Sequence, residues 1–343
     1  MTPTFRKHKR KYLILIATAI VLSTIGGITA YSIVYGSVTD RNSVVYIPAD
    51  TSLDALMDTL SSHNSISHIR RFRSTASAMG LDKAIRPGRY ELHKGMSAKQ
   101  IAAMLRIGNQ TPTNVTFNNI RTLPRLAAIL GKQLMADSTE FAKVLLSDSV
   151  AIKYGFKPEE FIGMFIPNTY EFYWTVTPAD FVARMHKEYN RFWNENRLSK
   201  LARTGLTQKE VSILASIIDE ETNHTGEMPV IAGVYINRLR RNMPLQADPT
   251  VKFAVGDFSL KRILYKHLHV NSPYNTYRNT GLPPGPIRMP SIEAINAVRN
   301  YSDNNYLYFC ASHDLSDSHI FASPHVYHPR NARHSAAAFN QTS

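Results

Sequence analysis

Residues 207–222 read TQKEVSILASIIDEET, from Thr207 to Thr222. Thr207 followed by Glu210 has the spacing of a capping box: the hydroxyl takes the free N–H of Glu210, and the carboxylate reaches back to Thr207. The stretch therefore predicts a helix with a strong start. At about 100° per residue, Val211, Ile213, Leu214, Ile217 and Ile218 fall on one broad face. Three acids close the helix. Asp219 points to the opposite side, Glu220 sits at the edge, and Glu221 lies near the middle of the apolar face. A carboxylate on that face is partly desolvated, which raises its pKa and lets it hold a proton near neutrality. A general acid needs that property. The same wheel also allows Glu221 to lie beyond the packed turns and point to water.

Around this helix, 343 residues leave room for two or three domains with cores of their own. A hydrophobic content of 43% argues for a folded chain. The net charge of +14 suits nucleic acid, but equally an anionic membrane or cell-wall surface. No zinc-finger spacing, aromatic RNA-binding motif or lysine-rich tail is present, so a nucleic-acid partner is not expected. The one cysteine, Cys310, lies in the apolar run YLYFCA and reads as a small buried side chain. The histidines His313, His319, His325, His328 and His334 lack a zinc-ligand pattern. No metal or other cofactor is expected.

The N-terminus carries the cationic cluster RKHKRK at 6–11, and no charged residue follows from Tyr12 to Thr39. Leu13 to Val34 is almost wholly apolar and exceeds the roughly 20 residues needed to cross a hydrocarbon core. Residues 1–11 thus read as a cytoplasmic tail and 12–36 as a single membrane helix. The preceding positive charges keep the N-terminus inside and send everything after Asp40 out of the inner membrane. A cleaved signal peptide is the alternative. Its apolar region usually runs about 7–15 residues, shorter than this one.

Beyond the membrane helix, residues 44–48 read as a short strand, 51–60 and 66–79 as helices, 87–92 as a turn into a strand, and Ser97–Ile107 as a helix. This is a small α+β module over 44–108. Residues 109–204 form an intermediate region with a strand at 114–117, helices near 123–134 and 138–145, and a long helix over 181–196. Its segment EFIGMFIPNTYEFYWT, 160–175, is rich in aromatic rings that suit either sugar faces or a core; the core reading is preferred for most of them. In the last region, 205–343, a helix follows from Met228 or Pro229 to Arg241, then the loops 244–250, 272–277 and 281–287. A helix capped by Ser291 spans 292–300, and strands are expected at 306–311 and 319–322.

Taken together, ASIIDEET at 215–222, VYINRL at 234–239, LQADPTV at 245–251, SPYNTY at 272–277, GLPPGPI at 281–287 and YLYF at 306–309 resemble the endolytic murein transglycosylase (YceG-like, MltG) family. GMFIPNTYEF at 163–172 resembles a further stretch of it. The resemblance covers nearly the whole chain and is strongest from Leu206 onward. It implies an α+β protein with one N-terminal transmembrane helix, a LysM-like module at 44–108 and a mixed α+β catalytic domain at 205–343. It also implies cleavage of the β-1,4 bond between N-acetylmuramic acid and N-acetylglucosamine in peptidoglycan, giving 1,6-anhydro ends and ending glycan elongation. Glu221 stands at the family's catalytic position and would serve both proton transfers. Because the muramic acid 6-hydroxyl is an intramolecular nucleophile, proximity replaces the second carboxylate of ordinary glycosidases. Gln246, Asp248, Asn275 and Tyr277 are candidates to hold the sugar, although Asp248 could cap a turn and Tyr277 could be core. Asp219 stands where the family more often has Glu, and Asn168 where many members have Asp. His319 and His328 carry over only loosely. The partners implied are peptidoglycan glycan strands, the inner membrane and penicillin-binding protein synthases. Two other readings remain: a hydrolytic muramidase using Asp248 or Asp219 as second carboxylate, and an inactive wall-binding scaffold.

Overall fold

The computed structural model describes residues 3–63, 65–311 and 319–323. The chain divides into two compact units: residues 1–114 with 171–175, and residues 115–170 with 176 onward.

The first unit opens with helix α1 (Pro3–Tyr35). Its stretch Arg10–Tyr35 is 26 residues long and exposes Leu13, Ile20 and Ile28. By length and composition it can cross a membrane. Thr18, Thr24 and Thr29 each donate to the carbonyl four residues back at 2.8 Å, so the hydroxyls in this apolar stretch are satisfied within the helix.

After α1 come β1 (Ser43–Ile47), α2 (Leu53–Ser62), α3 (Ile69–Ala78), β2 (Gly88–Leu92) and α4 (Ala98–Ile107). β1 and β2 pair antiparallel with Val45 opposite Tyr90. Alternation along the strands turns Val45, Ile47, Tyr90 and Leu92 onto a core with Leu56, Leu60, Phe72, Ile101 and Leu105. Ser97 and Gln100 close a capping box on α4, and Gly108 ends that helix with φ 82°. The order of elements agrees with the α+β module expected over 44–108.

β3 (Thr113–Phe117) pairs with β4 (Asn168–Phe172), and residues 115–117 and 168–170 of these strands belong to the second unit. Between them lie α5 (Leu123–Gln133), α6 (Ser138–Leu145) and α7 (Asp148–Lys153); α8 (Pro178–Phe192) and α9 (Glu195–Ser199) follow. The long helix expected over 181–196 is two helices. Pro178 starts the first early, behind the Thr177 cap. Asn194 then caps the second by accepting from the Arg197 N–H at 3.0 Å. Phe161, Phe165, Tyr170 and Phe172 are buried, so most of the aromatic segment is core.

The expected capped helix is α10 (Gln208–Glu221), with both hydrogen bonds of the Thr207–Glu210 box present. It is followed by α11 (Met228–Arg240), α12 (Asp248–Val255), α13 (Ile292–Arg299) and the antiparallel hairpin β5 (Tyr308–Ala311) and β6 (His319–Ala322). α12 replaces part of the loop expected at 244–250, because Pro249 suits a first helical turn. α10 packs against α11, α12 and α13. Every residue from Val211 to Ile218 is buried, including Ser212 and Ser216, so the helix is central rather than lying on the surface. The Ser216 hydroxyl donates to the Ile213 carbonyl at 2.7 Å and accepts from the Ile287 N–H at 3.0 Å.

Residues 115–170 make close contacts within this unit. The Met289 N–H donates to the Ile120 carbonyl at 2.7 Å, and Lys209 pairs with Glu160 at 3.0 Å. Gly285 packs against the Glu159 carbonyl where a Cβ would overlap it. That contact explains a glycine within the Pro-Pro-Gly-Pro loop.

Candidate active site

The three acids that end α10 diverge, as successive residues on a helix must. Asp219 accepts from the Ser291 N–H and from the Ser291 hydroxyl, both at 2.6 Å. Ser291 in turn accepts from the Ala294 N–H at 3.0 Å, so Asp219 fastens the start of α13. Glu220 is held by Arg121 at 2.5 Å and Arg288 at 2.8 Å. Glu221 accepts from the Tyr235 hydroxyl at 2.5 Å and faces a cavity of about 410 Å³.

Tyr235, Arg238, Gln246, Asp248, Tyr277 and His319 also line this cavity. Tyr235 and Arg238, three residues apart on α11, share one face of that helix. The buried Arg238 guanidinium acts as a clamp. Its Nε donates to the Leu307 carbonyl at 2.6 Å, and one Nη donates to the carbonyls of Pro244 at 3.1 Å and Leu245 at 2.8 Å and to Gln246 Oε1 at 3.2 Å. Gln246 takes a left-handed backbone, φ 51°, held by its N–H bond to the Thr276 carbonyl at 3.0 Å. The loop below is fixed by a buried pair of hydroxyls, Thr250 and Thr276, at 2.8 Å.

Asp248 Oδ1 accepts from the Tyr277 hydroxyl at 2.6 Å. Asn275 is fully buried and does not line the cavity. Its amide donates to the carbonyls of Leu268 and Val270, both at 2.9 Å, while its Oδ1 accepts from the Tyr277 N–H at 3.0 Å. Asn275 therefore orders the loop that carries Tyr277 instead of meeting a ligand. Four of the five expected site residues come together, and the fifth stands behind one of them. Asn168 lines a separate hollow of about 400 Å³ with Asn118, Asn119 and Arg288.

Cys310 is half-buried and lines the cavity, in contrast to the expected core position. His313, His325, His328 and His334 lie outside the described residues. Tyr235 and Arg238 line the cavity although sequence reasoning did not single them out, and His319, carried over only loosely, lines it too. The same-face spacing of Tyr235 and Arg238 was the available signal for two of them.

The model of the YceG-like family matches residues 45–334. The chain belongs to the YceG-like family. It is 32% identical over 288 residues to an endolytic murein transglycosylase of Bacillus subtilis, covering 78% of each chain. It is 28% identical over 366 positions to the endolytic murein transglycosylase of Streptococcus pneumoniae, covering 94% of this chain and 65% of that one. A 2.6 Å crystal structure of a yceG-like protein from Listeria monocytogenes aligns with a TM-score of 0.57 at 26% identity, covering 84% of this chain and 98% of that one.

In this YceG-like protein, the electrostatics of the cavity favour a protonated Glu221. Burial pushes its carboxyl up to about 7, against the lowering effect of the Tyr235 hydrogen bond, and the neighbouring Asp248 and Glu220 charges add to the rise. Burial also raises the Asp219 carboxyl, but its two Ser291 hydrogen bonds work the other way. Tyr277 is raised by burial and by Asp248, so its hydroxyl remains a donor to that carboxylate. The cavity thus presents two carboxyl groups, each bonded by a tyrosine hydroxyl, and burial poises Glu221 near neutrality.

Proposed function

We propose that this YceG-like protein is an endolytic murein transglycosylase in which Glu221 is the proton-donating acid. The observation that carries the reading is Glu221 in the cavity wall, bonded by Tyr235, where burial pushes its carboxyl up to about 7, a range suited to holding and releasing a proton. The printed names of the B. subtilis and S. pneumoniae relatives support the substrate class. The Tyr235 hydroxyl bonds Oε1 of Glu221, leaving Oε2 to carry the transferable proton. That proton passes to the glycosidic oxygen as the bond to the muramic acid anomeric carbon breaks. The 6-hydroxyl of the same sugar closes on that carbon, its proton passes to the Glu221 carboxylate, and the 1,6-anhydro end results. No water enters the reaction, so no second carboxylate is required to activate one.

A hydrolytic muramidase is the second reading, because Asp248 lines the same cavity. Mass spectrometry of glycan products made in ¹⁸O-labelled water tests the choice. The lytic reading expects anhydro ends without label; labelled reducing ends would overturn it.

The chain is also proposed to be anchored by α1 with its N-terminus inside and the catalytic unit outside the inner membrane. The cationic cluster at 6–11 ahead of the uncharged run motivates this orientation. A reporter fused after Ser343 should be active only outside the cytoplasm, and cytoplasmic activity would reverse the orientation. The module at 44–108 is proposed to be LysM-like and to bind glycan. Deleting it should weaken retention on purified sacculi while the catalytic unit stays folded. Unchanged retention would make it a spacer.

A further inference from the structure

The Glu227–His319 pair lies at the edge of the catalytic cavity and has no part in the reaction as described so far. Glu227 sits on the turn before α11 and grips His319 at two points. One carboxylate oxygen accepts from the His319 backbone N–H and the other bonds the ring Nδ1, both at 2.9 Å. Burial opposes ionisation of Glu227, but the hydrogen bonds from His319 hold it below its ordinary range, so it is a carboxylate near neutral pH. An ionised acceptor at Nδ1 requires that nitrogen to carry the proton. The tautomer is thereby set, and Nε2 is left with the lone pair. The Phe309 ring stands edge-on to the imidazole at 5.3 Å and fixes its plane. The side chain is only 12% exposed, yet it lines the cavity that holds Glu221.

From this geometry we infer that His319 is a second catalytic residue, the base that takes the proton of the muramic acid 6-hydroxyl while Glu221 protonates the leaving oxygen. The inference rests on the lytic reading above and divides its two proton transfers between two groups. The bond from the 6-oxygen to the anomeric carbon forms as the bond from that carbon to the leaving oxygen breaks. The hydroxyl proton passes to Nε2, and the Glu221 proton passes to the N-acetylglucosamine oxygen. The imidazolium, stabilised by Glu227, then returns its proton to the Glu221 carboxylate through solvent. No proton or electron is gained or lost overall. A carboxylate that orients an imidazole and stabilises its charged form is a recurrent arrangement in base catalysis.

The titratable and charged groups around the imidazole come from every neighbouring element. They are Glu227 with His224 ahead of α11, Glu221 on α10, Tyr235 and Arg238 on α11, Asp248 on α12, Tyr277 and Cys310. Activity requires a protonated Glu221, so kcat/KM should fall on the alkaline side as that carboxyl ionises.

The test uses full-length protein in detergent on uncrosslinked glycan strands. His319→Gln should lower kcat/KM by about 10²-fold while the alkaline limb set by Glu221 stays in place. Glu227→Gln keeps an acceptor for Nδ1 but removes its charge, and it should lower kcat/KM by about tenfold. Near wild-type activity in His319→Gln, or a loss that also removes the Glu221 limb, overturns the inference. If His319→Gln does not fold, Glu227→Gln decides alone, and an unchanged kcat/KM counts against. The ends made by the wild-type protein are scored separately: reducing ends remove the lytic reading itself, whatever the variants do.

Discussion

Glu221→Gln should fold normally and lose nearly all turnover, about 10²–10⁴-fold, the range of a positioned acid–base group. Gln preserves the shape and can still accept the Tyr235 hydroxyl, but it has no proton to deliver. Asp219→Asn and Glu220→Gln should lower turnover far less, since neither carboxyl lines the cavity. Any loss they show should come with a lower Tm, because Asp219 fastens α13 and Glu220 joins Arg121 to Arg288. Full activity in Glu221→Gln would remove the assignment.

The same substitution has a stability signature with a definite sign. In the folded chain Glu221 titrates near 7, above its ordinary value of 4.5. Below the lower value both states hold the proton. Between the two, the folded state keeps a proton that the unfolded state releases, so stability falls as pH rises through 7. Gln has no such term. Glu221→Gln should therefore match wild type near pH 4 and exceed it at pH 8 by about 1–3 kcal/mol. A Tm difference that does not grow with pH would argue against a buried Glu221 carboxyl.

Arg238→Met should be the most destabilising change in the cavity wall. The methionine fills much of the space of the arginine stem. It leaves the carbonyls of Leu307, Pro244 and Leu245 without the donors that now meet them. Each orphaned buried acceptor costs about 1–3 kcal/mol, so a total near 3 kcal/mol or more is expected. In a unit of this size that lowers Tm by about 6–12 °C. Arg238→Lys should recover only part of the loss, because a single ammonium cannot span acceptors on both sides of a planar fork. Activity should fall with stability, since the clamp also holds Gln246 and the start of β5. An unchanged Tm in Arg238→Met would show that these carbonyls find other donors.

Features encoded within a few residues were legible in the sequence. The Thr207–Glu210 box, the Ser97 and Ser291 caps and the apolar run of α1 depend on neighbours three or four positions away, or on composition alone. The divergence of the three acids follows from helical geometry as well. Elements departed from expectation where two local signals compete. The Pro249 turn became α12, and the polar chemistry of Asn194 split one expected helix in two.

The sequence by itself determined that α10 exists, where it begins, and that Glu221 leaves it in a different direction from Asp219 and Glu220. What each acid meets was decided by the tertiary structure. Asp219 finds Ser291 at a separation of 72 residues and Glu220 finds Arg121 at 99. His319 finds Glu227 at 92. No periodicity reaches across such distances. These pairings exist because α11 and α13 bury their apolar faces against α10 and β5 packs on α11, and that burial brings polar side chains from distant segments within hydrogen-bond reach. The raised pKa of Glu221 has the same origin. Its helix supplies the direction, but only the packed walls of the cavity supply the desolvation.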